Sequence, residues 1–504
     1  MIVSLHVALG GAAGALLGSR PLALLLGPPL HVAGDQVPHE DIPDRGFEIG
    51  SGLVALGLLA ARRGPLDAAV LGGAAASMPD LEHVVPWLRP RGEMLFHRGR
   101  GRHGAGIAAE TQLLLAGVTV GWLLARAGSL APMKVGIVVP YSWSFGGGVV
   151  DHADAQARGL EALGIETRLL IGNDPPGSFS RILHPRQGRP GPPPPNVIPL
   201  GRSVIVPGNG ALSNLVLSPR AVPQFRRALA REQFDLLHVH EPLAPMLSTA
   251  ALALWDGPTV GTFHAAGDSS WRPIADALWG FLLERIDLRI AVSEQARLTA
   301  EISAAGEYEV IPNGVEIPDR IDPAGRADRI AFVGRHDPRK GLPVLLRAWP
   351  RLRDTGVRLR LIGADPLAVR LLLTRLRISD EGIDTLGFVS DEELTAELAA
   401  AKLLVAPSLG NESFGMVITR AFACATPVVA SDIPGYREIL TPETGALVPP
   451  DDPEALAEAI LALLADEPAR LERGRTARER AESEYAWPML ARRLAECYGR
   501  VLAG

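Results

Sequence analysis

Two clusters of charged residues, far apart in the chain, carry the side chains needed to handle a phosphorylated sugar. FVGRHDPRKG, from Phe332 to Gly341, begins in the apolar run Arg329 to Val333, which predicts a buried strand. Arg335 and Lys340 then fall at the carboxyl end of that strand, where open α/β sheets bind their ligands. A guanidinium offers a planar fork of donors and an ammonium a mobile point charge, a combination suited to a diphosphate leaving group. PSLGNESFG, from Pro407 to Gly415, supplies a carboxylate, Glu412, in a loop opening onto the apolar stretch Phe414 to Ala425. That loop sets Glu412, Ser413, Phe414 and Gly415 beside the free N–H groups of a helix N-terminus. Cations after a strand are also common as solvated rim charges, so the two clusters carry more weight together than singly.

Both clusters need elements to hold them. From Lys134 onward, short β-branched strands alternate with helices, the pattern of doubly wound parallel sheets. Lys134 to Val139 predicts the first strand and Val149 to Leu163 its helix, with Gly146, Gly147 and Gly148 between them. Leu236 to Val239, Thr259 to Phe263 and Leu288 to Val292 continue the sheet, while Pro185 to Pro195 predicts a surface loop. IPNGVEIPDRIDPAGR breaks the periodicity and predicts a linker. Runs at Ile330, Leu359, Leu403 and Pro427 to Ala430 predict a second sheet, so a cleft should lie between the two. Alternation puts His238 and His240 on one strand face, as a packed pair or as part of a site.

The motifs and their order resemble the retaining glycosyltransferases of the two-Rossmann GT-B type, and within them the phosphatidylinositol mannosyltransferases. MKVGIVVPYSWSFGGGVVDH (from Met133), LLHVHEPLAP (Leu236), TVGTFH (Thr259), AVSEQAR (Ala291), IPNGV (Ile311) and ASDIPGYREIL (Ala430) follow in that family's order. The resemblance implies a Rossmann-like acceptor domain over 133–316 and a Rossmann-like nucleotide-sugar domain over 317–485. It also implies a terminal helix over 486–504, read within Glu482 to Leu502, that crosses back to the acceptor domain. The implied reaction moves a hexose, mannose as first guess, from a nucleotide sugar such as GDP-mannose to a membrane lipid or glycolipid. Arg335, Lys340, Glu412 and His264 are its implied catalytic residues; Gly148, Ser413, Phe414, Gly415 and Arg420 join Arg335, Lys340 and Glu412 in donor binding, and His152 faces the acceptor. No Ser/His/Asp set or carboxylate pair stands out as a covalent nucleophile, so transfer is expected on one face of the sugar, with the leaving diphosphate helping to deprotonate the acceptor. Two fixed cations then make a metal cofactor unnecessary for transfer. One residue departs from the family pattern: Arg420 stands where a second glutamate should bind the ribose. A carboxylate accepts from both ribose hydroxyls and a guanidinium only donates, which predicts weakened or re-aimed donor binding. A non-catalytic GT-B binding module is the alternative.

Residues 1–131 are of another kind, rich in Ala, Gly and Leu. Gly104 to Ala125, with Glu110 as its one ionisable side chain, is long enough at ~1.5 Å per residue to cross a hydrocarbon core of ~30 Å. Ile2 to Leu17, Ile49 to Ala61 and Leu66 to Met78 are shorter. Together they predict a helical membrane-embedded domain of three or four helices, or a single anchor with interfacial segments. Arg89, Arg91, Arg98, Arg100 and Arg102 precede the longest run, which conflicts with a cytoplasmic transferase following it. His6, then HVAGDQVPHED, PDLEH with Asp80 and His83, and HRGRGRH with His97 and His103 resemble a bacterial family of membrane-embedded metal-dependent hydrolases. That resemblance implies a divalent metal such as zinc or manganese, and a bifunctional protein. The second motif lacks an expected Asp, and the third has His103 one residue late and Gly104 in place of Ser. Mutual satisfaction of these polar groups within an anchor is the alternative.

PRAVPQFRRALARE, from Pro219, puts Arg220, Arg227 and Arg231 on one helical face opposite Val222, Phe225 and Leu229, either a membrane or acceptor contact or a surface helix with a core face. The expected location is the cell membrane, with the transferase domains cytoplasmic. A net charge of -6, spread along the chain, gives no nucleic-acid footprint. The two cysteines, Cys424 and Cys497, lie in apolar helical patterns and suit core positions in a reducing compartment. No charged segment precedes the first apolar run, so no cleavable signal peptide is expected.

Overall fold

The computed structural model of the chain describes residues 2–17, 20–40, 42–65, 67–81, 106–127, 133–175, 177, 192–208, 211–267, 272–323, 325–335 and 337–503. It divides into two compact units, Met1–Pro132 and Met133–Gly504.

In the first unit, helices run over Val3–Leu17, Arg20–Asp35, Arg45–Arg63, Ala68–Ser77 and Ala109–Ala127. Small residues let the backbones touch. A Cβ at Gly10 would lie 2.3 Å from the carbonyl oxygen of Gly72, and one at Gly14 would lie 2.1 Å from that of Ala68. No helix among the described residues is long and apolar enough to cross a membrane, which corrects the transmembrane reading. The Gly104 to Ala125 run is interrupted because Ile107 bridges to His39, and the helix starts only at Ala109. Glu110 and the buried Gln112 then occupy its first turn, and the Gln112 amide is spent on the backbone of Ile2, Glu40 and Ile107. The arginines from Arg89 to Arg102 lie outside the described residues.

The second unit holds two parallel sheets. The first contains β1 (Lys134–Ser142), β2 (Glu166–Gly172), β3 (Val197–Pro199), β4 (Ser203–Gly208), β5 (Ala211–Val216), β6 (Leu236–His240), β7 (Thr259–Phe263), β8 (Leu288–Ala291) and β9 (Glu309–Val310). Its order is β3-β2-β1-β6-β7-β8-β9, with the β4–β5 hairpin joined to β1 at Tyr141 and Leu215. The second contains β10 (Arg329–Val333), β11 (Arg358–Ile362), β12 (Ile383–Gly387), β13 (Leu403–Ala406), β14 (Val428–Ser431) and β15 (Gly445–Val448), in the order β12-β11-β10-β13-β14-β15. Strands such as β6 and β13 are buried along their whole length, as expected when helices cover both faces of a parallel sheet. In each sheet the strand order reverses beside the first strand, at β1/β6 and at β10/β13, and loops leaving these switch points are where doubly wound folds bind ligands.

Three devices fasten the lobes together. The single terminal helix expected over 482–502 is broken: a π turn spans Ala481–Tyr485 and the helix restarts at Trp487–Ala503. The cause is a bridge to the linker, in which Val315 N donates to Tyr485 O (2.8 Å) and Trp487 N to Val315 O (3.4 Å). The restarted helix packs on the first sheet's core through Leu490, Leu494, Cys497 and Tyr498. Arg326, also in the linker, donates to carbonyls of the second lobe at Ala399, Ala401, Cys424 and Ala425. Glu438, from the second lobe, accepts from the backbone of Glu294 (2.9 Å) and Gln295 (3.0 Å), capping helix Glu294–Glu301 of the first. A carboxylate at a helix N-terminus satisfies orphan N–H groups and opposes the helix dipole. Glu438→Ala is therefore expected to cost about 0.5–2 kcal/mol of stability, read as a lowered midpoint in thermal denaturation, while Glu438→Gln should retain part of it.

Candidate functional site

A cavity of about 1370 Å³ lies between the two sheets of the second unit, and Arg335, Lys340, Glu412, Gly148 and His264 all reach its wall. The two sequence clusters meet there. Lys340 Nζ lies 2.7 Å from Glu412 Oε1, with both side chains largely shielded from solvent. The approach depends on Gly341, whose φ of 70° is left-handed and whose hypothetical Cβ would fall 1.7 Å from the carbonyl oxygen of Pro407. Only glycine lets the turn Pro338–Lys340 lie flat against the loop that follows β13. Leu409 N donating to Arg339 O (2.7 Å) joins the two loops further.

The cations differ in their state. Arg339 is paired with Asp337 at 2.7 Å, whereas Arg335 has no carboxylate partner among the described residues. Ser408 donates to Glu412 Oε1 (3.4 Å) and bonds the fully buried Tyr436 hydroxyl (2.8 Å), so the carboxylate is oriented from below. Gly415, at φ 78°, opens helix Met416–Ala423, and a Cβ there would strike the Tyr436 ring at 2.8 Å. Ser413, Phe414 and Gly415 line the cleft with Glu412, the Phe414 ring being 4 % exposed and packed edge-on against Tyr485. Gly148 begins helix Gly148–Glu161 close to the start of helix Met416–Ala423, and a Cβ on it would touch Met416 Sδ at 3.4 Å. Arg420 bonds Asp391 at 2.7 Å on the cleft wall.

On the first lobe His264 follows β7, and its backbone N–H donates to Glu241 Oε1 (3.0 Å). Its Nε2 lies 2.8 Å from His240 Nδ1, and the His152 ring meets that of His264 edge-on at 5.0 Å. His238 and His240 stack at 4.6 Å, and His238 is held by Tyr498 (2.6 Å) and Thr262 (2.6 Å). The sequence reading did not include Glu241, Asp391 or Glu438. Glu241 was visible in HVHEP, but its backbone, at φ 47°, is what turns it under His264. Arg220, at the N-cap of helix Ala221–Glu232, and Arg227 and Arg231 on it are exposed and do not line the cavity; Arg231 lies 2.7 Å from Glu232.

In the first unit His6, His31 and Asp80 bring ligand atoms within 4.8 Å of one another. Asp35 joins them, 3.2 Å from His6 and 3.3 Å from His31. Of the residues expected to bind metal, His6 and Asp80 are gathered here, while His83, His97 and His103 lie outside the described residues. His31 and Asp35, from the HVAGDQVPHED segment of the same polar constellation, are one helical turn apart and complete the cluster.

Residues 327–466 match the family described as glycosyl transferases group 1, and residues 146–318 match glycosyltransferase family 4. A phosphatidyl-myo-inositol mannosyltransferase of Mycobacterium leprae is 35% identical over 384 residues, covering 73% of this chain and 97% of its own length. The chain belongs to the group 1 and family 4 glycosyltransferases. A phosphatidyl-myo-inositol mannosyltransferase of Mycolicibacterium smegmatis is 34% identical, over 73% of this chain and 94% of its own. Among solved structures, sucrose-phosphate synthase from Thermosynechococcus elongatus superposes with a TM-score of 0.58 at 23% identity, over 74% of this chain and 99% of its own. That likeness establishes the GT-B fold. The family matches begin at residue 146, so the hydrolase likeness of the first unit gains no support from them.

Burial governs titration in this glycosyltransferase. It pushes the imidazoles of His152 and His238 down, to about 4 and about 3, and those of His240 and His264 well below their ordinary range. It also pushes the Glu241 carboxyl up, to about 7. Unfolded imidazoles take up protons below about pH 6.5 while the buried ones resist, so each lowers stability as pH falls from there, by up to about 1.4 kcal/mol per pH unit. Glu241 works in the opposite sense, gaining stability as pH falls from about 7 to its unfolded value of about 4.5. With four imidazoles against one carboxyl, the thermal midpoint should drop between about pH 6.5 and pH 5. His238→Gln should flatten that slope in differential scanning fluorimetry, and a pH-independent midpoint would contradict neutral buried imidazoles.

Proposed function

We propose that this glycosyltransferase moves a hexose, mannose first, from a nucleotide diphosphate sugar to a phosphatidylinositol-type lipid with retention of configuration. The observation that carries the reading is the Lys340–Glu412 pair beside Arg335 at the β10/β13 switch point, with His264 on the cleft's other wall. In this reading Arg335 and Lys340 neutralise the departing diphosphate, and Glu412 orients the sugar by accepting from its hydroxyls. Gly148 and the N-terminus of helix Met416–Ala423 close on the phosphates, and a neutral His264 contacts the sugar. The acceptor proton passes to the leaving diphosphate, so the protein's part is positioning and charge stabilisation, with no cofactor needed for transfer. The sugar and acceptor are suggested by the mycobacterial relatives, which are phosphatidyl-myo-inositol mannosyltransferases.

A lipid surface is the proposed partner. Arg220, Arg227 and Arg231 are exposed on one helix and its N-cap, and in the first unit Leu16, Leu25, Leu53 and Leu114 are 75, 70, 64 and 67% exposed. An apolar exterior around buried polar groups such as His6, His31 and Gln112 suits lipid better than water. We place the transferase lobes on the cytoplasmic face, where nucleotide sugars are made. His6, His31 and Asp80 are proposed to take a divalent cation, since imidazole and carboxylate donors suit zinc or manganese.

The test is transfer by the detergent-solubilised full chain from a panel of nucleotide sugars to phosphatidylinositol in vesicles. Product from GDP-mannose is expected; donor binding without transfer or hydrolysis would indicate a non-catalytic binding module instead. Lys340→Ala should lower turnover by on the order of 10² with the fold intact, and retained turnover would move the site elsewhere. Arg420→Glu should tighten donor binding about tenfold in calorimetry by restoring an acceptor for ribose hydroxyls, and unchanged or weaker binding would show that Arg420 does not limit the donor.

A further inference from the structure

The first lobe's wall of the cleft carries more imidazole than sugar contact requires. His152, His240 and His264 are all buried, and their ligand nitrogens lie within 4.8 Å of one another. They come from helix Gly148–Glu161, from β6 and from the residue after β7, so secondary structure rather than a free loop sets their spacing. The ring centroids are 5.6 Å apart for His152 and His240, 5.0 Å for His152 and His264, and 5.1 Å for His240 and His264. His240 Nε2 is buried and makes no hydrogen bond, and His152 Nδ1, also buried, has only the side chains of Gln156 and Asn313 as candidate partners, neither in good hydrogen-bond geometry. A buried polar atom with no partner is costly and calls for an explanation beyond packing.

We propose that His152, His240 and His264 form an inhibitory transition-metal site that takes zinc or another imidazole-preferring divalent ion. Neutral imidazole is the form that ligates metal, and three protein donors with one open position is a common zinc arrangement. Zinc–nitrogen bonds of ~2.0–2.1 Å put tetrahedral ligand nitrogens ~3.3 Å apart, which these rings reach by small rotations. His152 and His264 line the cavity while His240 stands behind it, so the open position faces the sugar end of the cleft. A bound ion takes a nitrogen of His264 and sets a divalent charge where the transferred sugar would lie. Transfer stops until the ion is chelated.

The experiment titrates zinc into the full chain carrying His6→Asn and His31→Asn, which removes both imidazoles of the other cluster. One ion per chain with micromolar affinity is expected, with cobalt in its place giving the intense visible bands of tetrahedral coordination. His240→Gln leaves the cavity wall in place and should weaken zinc binding at least tenfold and relieve zinc inhibition, with circular dichroism checking the fold. If that variant does not fold, His152→Gln gives the same reading through loss of the tetrahedral cobalt spectrum. No zinc bound in that chain, or tight zinc in either cleft variant made in it, overturns the site. The inhibition arm rests on the transferase reading and the zinc and cobalt arms do not, so a chain that binds zinc but transfers no sugar counts against that reading alone.

Discussion

The close contact of Gly341 with Pro407 is the constraint on which the donor side depends. A Cβ at 341 would fall 1.7 Å from a backbone oxygen, so the turn after β10 and the loop after β13 meet only because position 341 has no side chain. The contact converts two distant sequence clusters into one ion pair, Lys340 with Glu412. Strand order supplies the rest: β10 and β13 are neighbours at the point where the sheet reverses direction, so their outgoing loops must diverge and leave a crevice. Chemistry at this site is thus a property of topology plus one glycine, more than of any single charged residue.

A crevice between two lobes is useful only if the lobes stay in register. Here the register is held from both sides, by Glu438 capping a helix of the opposite lobe and by Val315 interrupting the terminal helix. The interruption has a cost in helical continuity, offset because Trp487 then reaches His152 at 5.1 Å and Tyr498 reaches His238. The same terminal segment therefore fastens the lobes and supports the imidazoles behind the cleft. A perturbation of the hinge should be felt at the imidazoles before it is felt at Lys340, whose partners all come from the second lobe.

Much of this was legible in the sequence because parallel strands are buried on both faces and read as apolar runs, as in Lys134 to Val139 and Thr259 to Phe263. The gathering of Arg335, Lys340, Glu412 and Gly148 followed from their positions at the ends of such runs. Less legible were contacts fixed by backbone shape: Glu241 acts through a left-handed backbone, and Glu438 acts across the linker. In the first unit the length of the Gly104 to Ala125 run was less legible for a different reason. Hydropathy counts side chains but not where a helix begins, and the bridge between Ile107 and His39 shortens an apolar run that composition alone presents as continuous.

The charges of the cleft suggest how a donor would be admitted. Lys340 faces Glu412, Arg339 faces Asp337 and Arg420 faces Asp391, so among the described residues three of the four cations that the second lobe sets on the wall are already matched by carboxylates. A diphosphate replaces one anion with another beside the same cation, so the exchange leaves no charge unpaired. Arg335 is the exception, and an incoming diphosphate meets it without displacing a partner. In the proposed reading Lys340 would then swing from Glu412 to phosphate and leave that carboxylate to accept from sugar hydroxyls. Arg420 has no such second use: leaving Asp391 gives it only another donor's role beside the ribose. On this account the substitution at 420 affects recognition of the nucleoside and leaves the phosphate exchange at Lys340 untouched.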